Sequence, residues 1–160
     1  MFCENFGKCG SCTLYDLNYD EQKKFKIEYM HQLFDSFEVE KFEWRSSKQS
    51  HYRSRAEFMI YHDGDSIAYA MHALDEKRKL PISSCPKTDE KIYDLMPKLL
   101  IYIKKSEVLR RMLFGIEFLS SHDKILAVLL YHKKLDESWR GAAGECASIL
   151  GVKLTGRSKN

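Results

Sequence analysis

The stretch "HYRSRAEFMIYHDGDSIAYAMH", residues 51–72, constrains the fold more than any other. Tyr52, Ala56, Phe58 and Ile60 share one parity, while Arg53, Arg55 and Glu57 share the other. That is the period of a strand with one face buried. "HDGD" then interrupts the alternation, with Gly64 able to take the positive φ of a tight turn, and a second alternating run follows. The reading is a β-hairpin that turns one face, Tyr52 included, into a core and displays two arginines on the other.

The rest of the chain supplies elements to cover it. "NYDEQKKFKIEYMHQLF" places Phe25, Tyr29, Met30, Leu33 and Phe34 at helical spacing, with Asn18 or Asp20 as N-cap. "DEKIYDLMPKLLIYIKK" carries a helical stripe of Ile92, Leu95, Met96, Leu99 and Ile103, and Pro97 predicts a kink or a break there. "MLFGIEFLSS" and "DKILAVLLYHKK" form a second strand pair around "SSHD", and the densely apolar "ILAVLLY" is a central strand. "DESWRGAAGECASILG" is a further helix, begun by Asp136 and stopped by Gly151. "LPI" reads as a short strand end, "VKLTGR" as a last strand, and "LDEKRK" as a loop. Strand pairs and helices alternate without a steady βαβ beat. The expected class is α+β: an antiparallel sheet of hairpin-like strand pairs with about three helices and a cysteine-rich N-terminal loop.

At 160 residues the chain has the size of one domain. No apolar run approaches the ~20 residues of a membrane span, and the first residues have no signal-peptide pattern. The expected location is the cytoplasm, where thiols stay reduced. Net charge is +3, unevenly spread: residues 1–40 hold eight acidic and four basic side chains, a net of −4, which leaves +7 for the remainder. The basic excess lies in "WRSSKQSHYRSR", "LRRM", "YHKKL" and "KLTGRSK", where cations mix with aromatics as on surfaces that meet phosphates.

Recognisable catalytic patterns are missing. Gly141 and Gly144 fall within a helix rather than in a strand–turn–helix loop, so they read as glycines for close helix packing. The histidines are scattered, and Cys146 lies on an apolar helical stripe as a buried, inert thiol. No catalytic or cofactor-binding residue is assigned; the chain is expected to act by binding.

Three cysteines in "CENFGKCGSC" have spacing C-x5-C-x2-C, and Cys85 stands alone before Pro86. The four thiolates of Cys3, Cys9, Cys12 and Cys85 could hold tetrahedral zinc or a [4Fe-4S] cluster. A Cys-Pro pair, which also ends the ferredoxin run, points toward iron.

"CENFGKCGSCTLYDLNYDEQKKFK" resembles the cluster segment of bacterial and archaeal RNA (uracil-5-)-methyltransferases, and "SHYRSRAEFMIYHDGD", "LLYHKKLDESWR" and "LTGRSK" look like the central domain of the tRNA branch of that family. The cysteine pattern is that of the ribosomal-RNA relatives, so 23S ribosomal RNA is the alternative substrate. The resemblance implies a [4Fe-4S] cluster on Cys3, Cys9, Cys12 and Cys85, with zinc as the alternative. It further implies a loop over 1–18, an RNA-binding domain over 19–160, and a C-terminal S-adenosylmethionine-binding catalytic domain outside this chain. On this reading the chain is an N-terminal fragment, not catalytic alone; a free-standing metal-stabilised RNA-binding module is the other possibility. The RNA contacts, to tRNA first, are expected from Arg53, Arg55, Phe114, His132, Lys133, Lys134, Arg157 and Lys159. Phe114 matches a family aromatic that contacts the tRNA loop.

Overall fold

The computed structural model describes residues 3–37, 39, 41–74 and 78–159. Six strands form one sheet: β1 (Arg55–Asp63), β2 (Ser66–His72), β3 (Lys79–Ile82), β4 (Leu113–Ser120), β5 (Ile125–Tyr131) and β6 (Lys153–Ser158), in spatial order β3-β2-β1-β4-β5-β6. The helices are α1 (Tyr19–Leu33), α2 (Glu90–Lys105), the single turn α3 (Glu107–Arg110) and α4 (Glu137–Leu150). The class is α+β as expected, with three long helices and one short one among the described residues. Among these residues, no helix is long and apolar enough to cross a membrane. Of the "LDEKRK" loop, Asp75, Glu76 and Lys77 lie outside the described residues.

The hairpin forms where alternation and turn agree. Asp63 faces Ser66 across Gly64, whose φ is 57°. Phe58 and Ile60 of β1 are buried with Ile67 and Tyr69 of β2, Ile116 and Phe118 of β4, and Ala127 and Leu129 of β5. α2 seats Ile92, Leu95, Met96, Leu99 and Ile103 on this face, and α4 adds Trp139, Ala143 and Cys146. Each large side chain so buried contributes about 1.5–3 kcal/mol. The other face of β1 and β4 is open, with Arg55 opposite Leu119 and Glu57 opposite Glu117.

Five expectations need correction. The sheet is not wholly antiparallel: β6 pairs parallel to β5, because the chain returns through α4 before forming it. Of the kink or break expected at Pro97, the break does not form: α2 runs through that residue. The buried Tyr69 hydroxyl donates to the Met96 carbonyl at 3.0 Å and ties that turn to β2. α1 has its capping box, Asn18 Oδ1 accepting from the Asp20 and Glu21 amides at 3.0 Å, yet buries no residue. Its stripe of Phe25, Tyr29 and Leu33 is half exposed. Tyr52 is exposed, because the chain joins the sheet only at Arg55. Gly141 and Gly144 are exposed, and a Cβ at either would meet nothing within 4 Å, so close helix packing is not their role.

Candidate functional site

The N-terminal loop is laid down by short-range turns. Phe6 N–H donates to Cys3 O and Cys9 N–H to Asn5 O, and Gly7 supplies a φ of 82°. The loop then docks on the end of β2: Gly10 N–H reaches His72 O at 2.9 Å, Leu74 N–H reaches Lys8 O at 2.7 Å, and Cys9 bridges Ala73. A Cβ on Gly10 would lie 3.1 Å from Ala73 O and 3.3 Å from His72 O, tighter than ordinary contact, so the docked backbone would have to give by a few tenths of an ångström. Ser83 Oγ donates to Glu4 Oε1 from the other side.

This docking brings Cys3, Cys9 and Cys12 to the Cys85 turn. All four line one cavity of about 70 Å³, walled also by Phe6, Ala56, Phe58, Met71 and Ile82. The Cys85 turn is rigid: Thr88, almost fully buried, donates its backbone N–H and its hydroxyl to Cys85 O at 3.0 and 2.8 Å. Burial pushes the Cys85 thiol up; the Lys87 backbone N–H opposes this, while Cys12, Cys3 and Cys9 add to the rise. The Lys87 ammonium stays charged above its ordinary value, since Cys12 and Tyr52 outweigh its burial. Four thiols around one mostly apolar cavity fit the donor set of a thiolate-bound metal group. Among the described residues, no three His, Cys, Asp or Glu side chains converge closely enough to hold a single metal ion.

Arg53 belongs to this end of the molecule. It lines the same cavity, its N–H donates to Lys87 O at 2.9 Å, and its carbonyl accepts from Asp89 N–H at 2.7 Å. Arg55 follows at the start of β1, paired with Glu57.

The other expected residues gather at the opposite end of the strands. Phe114 and His132 stack, ring centroids 4.1 Å apart and 21° from parallel, with the Lys159 ammonium 5.6 Å from the Phe114 ring. A β-bulge makes this possible: Leu113 pairs with Tyr131 and Gly115 with Leu130, leaving Phe114 as the extra residue. Lys134 and Arg157 are exposed nearby in sequence. Lys133 differs from them: its ammonium turns inward to Val108 O at 2.7 Å, and burial, with Arg111 adding, holds it below the ordinary lysine value. Since Arg55 faces Leu119, five residues along β4 from Phe114, the two cationic groups stand ~17 Å apart. The structure thus brings the four cysteines together and the ring-bearing residues together, but divides Arg53 and Arg55 from the rest. Arg111, legible as charge in "LRRM", and the bulge at Phe114, which has no local signal, complete the ring-bearing end.

A solved structure shares this fold: tRNA (uracil-54, C5)-methyltransferase of Pyrococcus abyssi in complex with S-adenosyl-L-homocysteine matches 84% of this chain and 34% of its own, with a TM-score of 0.60 and 22% identity. The likeness shows the fold: the same α+β module occurs within that longer protein. A family model for tRNA (uracil-5-)-methyltransferase matches residues 18–160, and the chain belongs to that family. A protein of Campylobacter concisus called tRNA/tmRNA (uracil-C(5))-methyltransferase is 44% identical over 99% of this chain and 43% of its own length. A protein of the same description from Nitratiruptor is also 44% identical, over 99% and 42%. The chain spans well under half the length of these relatives.

Proposed function

We propose that this chain is the RNA-recognition and cluster-bearing part of an S-adenosylmethionine-dependent enzyme that forms 5-methyluridine in RNA, in the cytoplasm, with the T-loop of tRNA as target. The observation that carries this is the stacked Phe114–His132 pair with the Lys159 ammonium beside the Phe114 ring, in a chain of the tRNA (uracil-5-)-methyltransferase family. Enzymes that alter a base must expose it, and unstacked RNA bases are held by aromatic faces with cations on the phosphates. Arg53 and Arg55 supply a second set of cations along the same strands. Residues 19–160 act as the RNA-binding domain. The methyl donor and the reacting groups belong, on this reading, to the part of full-length relatives outside this match.

Residues 1–18 act as a loop held by a [4Fe-4S] cluster on Cys3, Cys9, Cys12 and Cys85. What supports it is the shared cavity, which offers four sulfurs around a space rather than a row of unrelated thiols. The group would supply a cross-link closing about seventy residues of chain, which restricts the unfolded state. Zinc is the competing occupant.

The tests are direct. Anaerobically prepared protein should absorb near 400 nm and contain iron and sulfide, both lost in Cys85→Ser; stoichiometric zinc without iron would refute the cluster. A tRNA T-arm hairpin should bind in a salt-dependent manner, more tightly than a ribosomal-RNA fragment, and Phe114→Ala and Lys134→Glu should each weaken it. Equal, feeble binding to both RNAs, unmoved by these variants, would refute the RNA edge.

A further inference from the structure

We propose that Met112 is an apolar wedge that packs against a base of the bound RNA beside the one held by Phe114; this rests on the reading of that edge as RNA-binding. Met112 has φ 62°, a left-handed conformation that an unbranched L-residue adopts only at a cost. Its side chain is also 49% exposed, so burial does not offset that cost. Among the described residues, His51 is the only other non-glycine with positive φ, and it has evident compensation: its ring bonds Thr88 O at 2.9 Å and meets Tyr93 edge-on.

The surrounding backbone explains how the conformation is held. The chain leaves α3 at Arg110, and three residues later Leu113 is fully buried. Met112 O accepts from His132 N–H at 3.0 Å, the same His132 whose ring stacks on Phe114. Within three residues the backbone is irregular twice, left-handed at Met112 and bulged at Phe114, and both irregularities meet at His132. Strain over-determined by its surroundings is characteristic of ligand clamps, and bulges re-aim side chains. A flexible, polarisable thioether suits flat aromatic faces, and methionine is among the side chains that wedge between base steps. Exposed Arg111 beside it adds a cation for the phosphate.

Two measurements on the full chain test this. Met112→Gly relieves the strained φ and removes the wedge, so it should melt at or above the wild-type temperature yet bind a T-arm hairpin about five- to tenfold more weakly. Met112→Leu should stay within about threefold of wild type. Should the glycine variant not fold, Met112→Ala carries the same comparison. Binding within twofold of wild type for Met112→Gly, with Phe114→Ala weakened, overturns the wedge and leaves the RNA edge standing. No effect of either variant overturns both. Independently, the hairpin should slow peroxide oxidation of Met112, followed by mass spectrometry; an unchanged rate would overturn the contact.

Discussion

Gly156 in β6 is where the smallest substitution should do the most damage. It pairs with Leu129, and a Cβ there would lie 2.5 Å from Leu135 Cδ1 and from Trp139 Cζ2, with Trp139 Cη2 closer still. Leu135 can rotate away, but the Trp139 ring is buried and edge-on to Tyr131 at 5.8 Å. Either α4 or β6 must shift. Overpacking of this kind costs about 1–3 kcal/mol, and at this chain length each kcal/mol lowers Tm by ~2–4 °C. Gly156→Ala should therefore melt ~2–12 °C below wild type. The same change at the open, helical Gly141 or Gly144 should instead stabilise by up to ~1 kcal/mol. Among the described residues Trp139 Nε1 meets no acceptor in good hydrogen-bond geometry, so Trp139→Phe loses little there while clearing the ring atoms. In the double variant the two costs should fall short of their sum by ~1 kcal/mol or more. Thermal and urea melts of the four proteins measure this. An alanine at 156 that melts with wild type, or strictly additive costs, would refute the account. Because Arg157 and Lys159 follow Gly156 along β6, the variant should also weaken RNA binding.

Other outcomes follow from individual contacts. Tyr69→Phe removes the buried bond to Met96 O beside Pro97 and should cost about 1 kcal/mol, read by urea unfolding. Burial, with Glu145 adding, pushes the Cys146 thiol up to about 11 from an ordinary 9.0. Its contribution to stability is whole below pH 9 and is lost as pH rises toward 11, since only the unfolded chain ionises in that window; Cys146→Ala should flatten the fall in stability measured there. In the folded protein at pH 8 Cys146 should resist iodoacetamide, which mass spectrometry would detect. If the proposed cluster is bound, stripping it should speed amide exchange at Gly10 and Leu74, whose N–H bonds dock the N-terminal loop; unchanged exchange would mean the loop holds without a cross-link.

Local signals carried much of the fold. The β1–β2 hairpin was legible because its alternation and its Gly64 turn are both short-range, and α4 because Asp136 caps it and Gly151 stops it at a φ of 64°. What was hidden depends on distant partners. The parity that placed Tyr52 in the core runs on past Ser54, but there the backbone leaves the sheet, and Arg53 bridges Thr88 instead. The apolar stripe of α1 has the right period, yet among the described residues Phe25, Tyr29 and Leu33 stay about half exposed. The parallel pairing of β6 is decided by how α4 packs, which no short window contains. At the candidate site, the C-x5-C-x2-C spacing drew attention to Cys3, Cys9 and Cys12, and Cys85 entered through its Cys-Pro pair and the family resemblance; that all four line one cavity comes from packing. The ~17 Å between Arg55 and Phe114, the inward turn of Lys133 and the left-handed Met112 come only from register and packing.

The open face of the sheet puts Glu57 directly across from Glu117, midway between the two cationic ends. On the proposed function, a polyanion lying along β1 and β4 would meet two carboxylates between its cationic contacts, one of them, Glu57, already paired with Arg55. On that reading the strands would work as a ruler whose graduations are residues. Deleting two residues from the centre of both would bring the ends together by ~7 Å, altering which phosphates can be grasped at once while leaving each grip intact.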